Sequence, residues 1–323
     1  MAGVSVIDQS VAALRDFSAR AGQEPVLSIL IFHRVLDLKD PLLAGAITKE
    51  EFSRISGVLR KNFRCYPLRE AVARLDARTP GHMVSITFDD GYADNLELAL
   101  PVLRQFELPA TIFVAARYLD GGIMWTDVVG EAISKTSKRS LEHDILGGSI
   151  LPLADVEQRQ RARKAAISAL KYLPQGEREQ LALDIARLLE VPPRSDLMLT
   201  SSQLRTLAAD PLIEIGGHTF SHPILSCVDD ATAAEEMGEG KRILEGIIGR
   251  PVVGFAYPNG QPGRDYLPDH ASLARKSGFS YAVSTAPGAA RSDTDRFQLP
   301  RFTPWRRNPL QFAASLLSMA RYR

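Results

Sequence analysis

Short apolar runs rich in branched side chains recur along this chain with helical segments between them, and that alternation constrains the fold more than any other feature. VLSILIF (26–32), MVSITF (83–88), ATIFVA (110–115), LIEIG (212–216), VVGFAY (252–257) and SYAVS (280–284) have strand length and lack the polar alternation of a half-exposed strand. Residues 49–75 are mostly helical in pattern, residues 95–108 carry helical spacing that Pro109 ends, and another helix is expected around 231–248. Buried strands separated by helices predict an α/β fold with a parallel sheet, either open or closed into a (β/α) barrel.

Residues 126–210 break this rhythm with DVEQRQRARKAAISALKYL and EREQLALDIARLLEV, an α-helical insertion with no strong strand. The expected organisation is an N-terminal helix over 1–24, a main domain over 25–305 containing the insertion, and a C-terminal helix over 306–323 opened by Asn308 and Pro309. That last helix is expected to pack on the domain rather than lie on a membrane surface. Lys plus Arg is 39 and Asp plus Glu is 38, so no global field favours nucleic acid as a partner. Cys65 and Cys227 have no ligand-like spacing and read as reduced thiols. The first residues lack a basic leader followed by an apolar stretch, which predicts a cytoplasmic protein, with the inner membrane face as the site of any membrane contact.

Polar groups stand directly after the strands. His33 follows the first, Asp89 and Asp90 follow the second, and His218 comes after Gly216 and Gly217, with His222 four residues on. In a parallel barrel the loops at the C-terminal strand ends build the active site, so these residues converge. Two imidazoles and one carboxylate make a three-ligand set with open positions, the pattern of a catalytic metal site. A second carboxylate kept off the metal can then act as a base toward water, whose pKa a metal lowers toward about 7.

Here the chain resembles the polysaccharide deacetylase family, also described as the NodB homology domain or carbohydrate esterase family 4. Thr87, Phe88, Asp89, Asp90 and Gly91 match its TFDDG motif, and His218 to His222 match its H-[ST]-x-x-H motif. The resemblance covers roughly 25–125 and 200–305 and implies a distorted (β/α) barrel. It makes Asp89 the general base and Asp90, His218 and His222 the ligands of Zn²⁺, with Co²⁺ or Ni²⁺ as the other candidates. The family's R-x-P-[YF] motif corresponds to Ala256, Tyr257, Pro258 and Asn259, so the arginine is missing and Asn259 stands where an aromatic is expected. A backbone N–H of that loop helps hold the oxyanion in the family, a role Asn259 can fill because it needs only main chain.

Arg301, in LPRF, is the candidate replacement for the missing arginine as partner of Asp89; the alternative is a surface arginine. No histidine follows His270, so the family's C-terminal catalytic histidine is also missing. ILIFHRV resembles the start of circularly permuted members, which makes His33 the candidate acid. Trp125 and Asp127 are candidate pocket residues, a packed aromatic beside a helix cap being the other reading, and His82, His143 and His270 are expected at the surface. The implied activity is metal-dependent removal of the acetyl group from an N-acetylated sugar. The alternatives are hydrolysis of another amide or imide and a non-catalytic carbohydrate-binding protein.

Overall fold

The computed structural model describes residues 24–43 and 45–320. The N-terminal helix expected before residue 25 falls almost wholly outside them.

The apolar runs form a barrel. Its strands are β1 (Pro25–Phe32), β2 (Gly81–Phe88), β3 (Ala110–Val114), β4 (Ile213–Gly217), β5 (Gly254–Ala256), β6 (Tyr281–Pro287) and β7 (Leu299–Arg301). They hydrogen-bond in that order, each parallel to the next. Closure comes where Phe302, just past β7, donates to the Ile29 carbonyl at 2.7 Å and accepts from the Ile31 N–H at 3.1 Å. The N-terminal end of β1 is covered instead by an antiparallel pair with Ala290–Arg291.

Both faces of these strands are buried, which explains the continuous apolar runs. One row, including Leu30, Phe32, Ile86, Phe88, Ile112 and Val114, packs outward under the helices. Among those helices are α1 (Lys49–Asn62), α2 (Leu68–Asp76) and α3 (Leu100–Phe106). Thr48 and Glu51 form a capping box at the start of α1. The mostly helical run over 49–75 is two helices separated by a short strand, Arg64–Cys65, paired with β2. A π turn over Asn95–Ala99 precedes α3 and accommodates Pro101, whose ring cannot sit beneath a regular helical carbonyl.

Between β3 and β4 lie α4 (Trp125–Lys135), α5 (Val156–Leu170), α6 (Gln175–Leu188) and α7 (Ser201–Ala209). The first three enclose a core of their own, built on Val129, Ile133, Ala166, Leu170, Ala182 and Ile185. The insertion also contains a short antiparallel hairpin of Ser140–Glu142 with Ile150–Pro152. Each is three residues long and mostly exposed, so no apolar run marks it. After β4 follow α8 (Asp230–Ile248), α9 (Pro268–Lys276) and the C-terminal α10 (Pro309–Met319), whose Phe312, Ala313 and Leu316 are buried. Among the described residues no helix is long and apolar enough to cross a membrane.

Two histidines expected at the surface are not free there, His270 being buried and His82 half-buried. His270 is buried and its Nδ1 accepts from the Leu267 N–H, capping α9. His82 belongs to β2, which begins earlier than expected. Its Nε2 lies 2.9 Å from Ser28 Oγ, Phe63 packs edge-on, and its Nδ1 is buried without a partner among the described residues. Burial pushes the His82 imidazole down to about 4 from its ordinary 6.5. A depressed folded pKa means that the unfolded chain binds the extra proton, so this contribution to stability is full above about 6.5 and is lost as pH falls toward 4. Urea unfolding at pH 7 and pH 4.5 should therefore show wild type losing about 2 to 3 kcal/mol more than His82→Leu. Equal losses in the two proteins would assign the acid sensitivity elsewhere.

Candidate active site

The C-terminal strand ends bring the expected residues together. The sheet ladder continues one step past β2 and β4: the Asp89 N–H donates to the Phe32 carbonyl at 2.9 Å and the His218 N–H to the Val114 carbonyl at 3.1 Å. Asp89 is thus the last residue held in sheet register, on the same face as Thr87, because side chains alternate. Asp90 leaves the strand at φ 78°. That turn separates two neighbouring carboxylates that a regular strand would point in opposite directions. Gly91 follows at φ 88°, and a Cβ on it would lie 2.9 Å from a Val114 methyl, so glycine is required.

Asp89 is gripped by Arg301. Its two oxygens accept from Nη1 and Nη2 at 2.7 Å each, the guanidinium Nε donates to the Ser284 carbonyl at 2.8 Å, and Nη1 also reaches Thr87 Oγ1 at 3.3 Å. Both side chains are almost fully buried, with exposures of 0% for Arg301 and 3% for Asp89. Burial alone would raise the Asp89 carboxyl, but the charges of Arg301 and His218 outweigh it and hold the group below the usual carboxylate range.

Asp90, His218 and His222 form a separate cluster. Asp90 Oδ1 lies 3.3 Å from His218 Nε2 and 3.4 Å from His222 Nε2. His218 Nδ1 is 2.7 Å from the Ala256 carbonyl, which fixes the proton on Nδ1 and turns Nε2 toward Asp90. Burial and the neighbouring His218 charge push His222 down to about 3, so its ring is neutral. The three ligand atoms lie within 4.8 Å of one another. Ligand bonds of about 2.0 to 2.1 Å to a tetrahedral ion place neighbouring donors about 3.3 Å apart, so the donor set fits a divalent cation.

Backbone strain collects at this place. Asp90, Thr219, His222 and Asn259 are all non-glycine residues at φ between 56° and 78°. Glu236 of α8 holds the histidine loop in this conformation. Its carboxylate accepts from the Phe220 N–H at 3.0 Å, the Ser221 N–H at 2.7 Å and the Ser221 hydroxyl at 2.5 Å. The sequence reading missed Glu236, and its position after Glu235 in an ordinary amphipathic helix gives no signal for it.

A cavity of about 660 Å³ opens beside His33 and Asp90, with Arg34, Tyr92 and Asp127 in its wall. His33 is exposed there. Arg34 donates to Asp94 at 2.9 Å, and the Tyr92 hydroxyl donates to Asp127 at 3.0 Å. Burial pushes the Asp127 carboxyl up to about 6.

Two of the candidate site residues are placed elsewhere. Trp125 does not line the cavity; it packs in the core of the insertion with the Arg178 guanidinium 5.1 Å over its ring. Tyr257 turns into the barrel wall, its ring stacked on Tyr266 at 3.8 Å, its hydroxyl donating to the Phe297 carbonyl and its N–H to Val283. Pro258 has no N–H. Of Tyr257, Pro258 and Asn259 only Asn259 is exposed; its N–H donates no hydrogen bond within the described residues, while its carbonyl accepts from Thr285 Oγ1.

Residues 76–282 match the polysaccharide deacetylase family. The chain belongs to that family. It is 23% identical over 278 residues to YxkH of Bacillus subtilis strain 168, named as a candidate polysaccharide deacetylase, with 85% of this chain and 70% of YxkH covered. The fold is shared with a Streptococcus pyogenes deacetylase, PplD, solved in complex with acetate, at TM-score 0.60 and 16% identity over 93% of this chain and 100% of that one. It is also shared with IcaB from Ammonifex degensii, at TM-score 0.57 and 20% identity over 92% and 98% of the two chains. Membership of the family implies a hydrolase acting on a carbohydrate amide, and the distorted parallel barrel of this deacetylase is the family's NodB type.

Proposed function

We propose that the protein is a metal-dependent deacetylase that hydrolyses the N-acetyl group of an N-acetylated sugar, giving acetate and a free amine. One observation carries this reading: two adjacent aspartates have entirely different partners, Asp90 facing two imidazoles and Asp89 held by a guanidinium. A protein that only bound a metal would have no use for a second, separately ionised carboxylate beside the ligands. Acetate bound to the solved Streptococcus pyogenes deacetylase, which shares this fold, agrees with acetate as the product.

Asp90, His218 and His222 would hold the ion, with Zn²⁺ the first candidate on mixed imidazole and carboxylate donors. When bound there it supplies Lewis-acid polarisation of the acetyl carbonyl and lowers the pKa of water. Asp89 takes the proton from the attacking water. Its contact with Arg301 uses one lone pair on each oxygen and leaves the other free to accept. Asn259 donates its uncommitted N–H to the oxyanion that develops as water adds. His33, exposed at the cavity, protonates the nitrogen as the carbon–nitrogen bond breaks.

The test is acetate release from chito-oligosaccharides by protein as purified, after chelation and after Zn²⁺ is restored, with His33→Gln alongside. Release should stop on chelation and return with Zn²⁺, and His33→Gln should be slower by about a hundredfold or more with unchanged metal content. Release indifferent to chelation would remove the metal from the reaction. Normal turnover in His33→Gln would give the acid role to another group.

A further inference from the structure

We infer that the substrate carries a phosphate or diphosphate beside its N-acetylated sugar, held by Arg163 and Lys164 of the helical insertion. This rests on the deacetylase reading of the site and adds to it the charge of the substrate. The cavity that opens at His33 and Asp90 is walled on its far side by one face of α5. Gln160, Arg163, Lys164, Ile167 and Ser168 lie on that face at helical spacing, and Lys171 follows just past the helix end. The opposite face, Ala162, Ala166 and Leu170, is buried in the insertion's own core. The helix therefore presents its cations to the cavity while its small apolar residues hold it in place.

Most basic residues of this segment are already committed. Arg159 donates to the Ile133, Ser134 and Thr136 carbonyls at the end of α4. Arg161 pairs with Glu157, Lys171 lies 3.5 Å from Asp265, and Arg34 across the cavity pairs with Asp94. Arg163 and Lys164 make no hydrogen bond or ion pair within the described residues, and Arg163 Nε is buried without an acceptor. The site is also shaped around this side chain, since a Cβ at Gly130 of α4 would stand 3.0 Å from Arg163 Nε.

The Arg163 charge is felt at Asp127, but no carboxylate of the cavity takes a hydrogen bond from Arg163 or Lys164 within the described residues. Asp90 faces the two imidazoles, and Asp127 accepts from Tyr92 with no hydrogen bond from Arg163. A planar guanidinium fork and an adjacent ammonium match a dianionic phosphate group better than a neutral sugar hydroxyl. The volume of about 660 Å³ accommodates a hexosamine together with that group.

The inference is tested with the metal-loaded full chain by comparing kcat/KM for chitobiose, N-acetylglucosamine 1-phosphate, UDP-N-acetylglucosamine and a short-chain polyprenyl diphosphate N-acetylglucosamine. At least one phosphorylated substrate should exceed chitobiose by about tenfold or more, and that ratio should collapse in Arg163→Gln/Lys164→Gln and fall in the exposed single variant Lys164→Gln. The nucleotide and polyprenyl arms separate the two sources of the same chemistry. Equal kcat/KM for neutral and phosphorylated substrates, or a ratio that survives in the double variant, overturns the inference while leaving deacetylation intact. If no substrate releases acetate, the deacetylase reading has failed on its own. Calorimetric titration of N-acetylglucosamine 1-phosphate into metal-free protein then decides: binding lost in the double variant supports the inference, and no binding to wild type overturns it.

Discussion

Asp89→Asn should lower acetate release by about a thousandfold or more while the protein stays metal-loaded, although it is destabilised because the buried Arg301 guanidinium loses its anionic partner. The amide has the shape of the carboxylate but cannot take a proton from water at neutral pH, so the base is lost with little change in volume. The ligand set, Asp90, His218 and His222, is untouched, and His218 keeps its bond to the Ala256 carbonyl. Asp90→Asn makes the contrasting change one residue along. It replaces the charged ligand between the two imidazoles and should lose activity together with bound metal, because the loss of an anionic ligand weakens affinity. Metal content by atomic emission, measured beside turnover, separates the two roles. Turnover near wild type in Asp89→Asn, or loss of its metal, would show that Asp89 is not a base standing apart from the ligands.

These roles are legible in the sequence because each is written in a local motif. FDDG and HTFSH put their functional groups within a few residues of a strand end, and the parallel barrel gathers strand ends without further instruction. What is illegible depends on facing or on distant contact. VVGFAY is apolar throughout because both faces of its strand are buried, so nothing in it says that Tyr257 bonds Phe297 rather than substrate. Trp125 has the composition of a pocket aromatic, yet the insertion's separate core claims it. Glu236 acts across a helix–loop contact of α8 that no spacing encodes. The cationic face of α5 is periodic in the sequence, but which face is packed and which is free follows only from where Ala162, Ala166 and Leu170 go.

Arg301 is the extreme case, since its bond to Asp89 spans 212 residues and exists only because β7 closes the barrel against β1. Replacing it with methionine should destabilise the protein by about 3 to 5 kcal/mol, because removing one partner leaves the other charge buried and uncompensated. With the guanidinium in place, Asp89 has a depressed pKa, so the pair's stabilisation is present above the ordinary carboxylate value of 3.8 and is lost as pH falls through the lower folded value. Without it, the burial that Arg301 outweighed drives the Asp89 pKa up, and the base is protonated over more of the working range. The acid limb of the pH–rate profile in Arg301→Met should therefore move to higher pH, with part of the lost activity recovered on raising the pH. The double variant Asp89→Asn/Arg301→Met buries two neutral groups and should regain stability relative to Arg301→Met while remaining inactive. Urea unfolding of the four proteins closes a double-mutant cycle, which isolates the coupling between the two residues. Additive stability losses together with an unshifted acid limb would mean that Arg301 only fills space. A shifted limb with strong coupling would make it the positioning residue that keeps Asp89 charged, supplied from the last barrel strand in place of the arginine that Ala256 displaces.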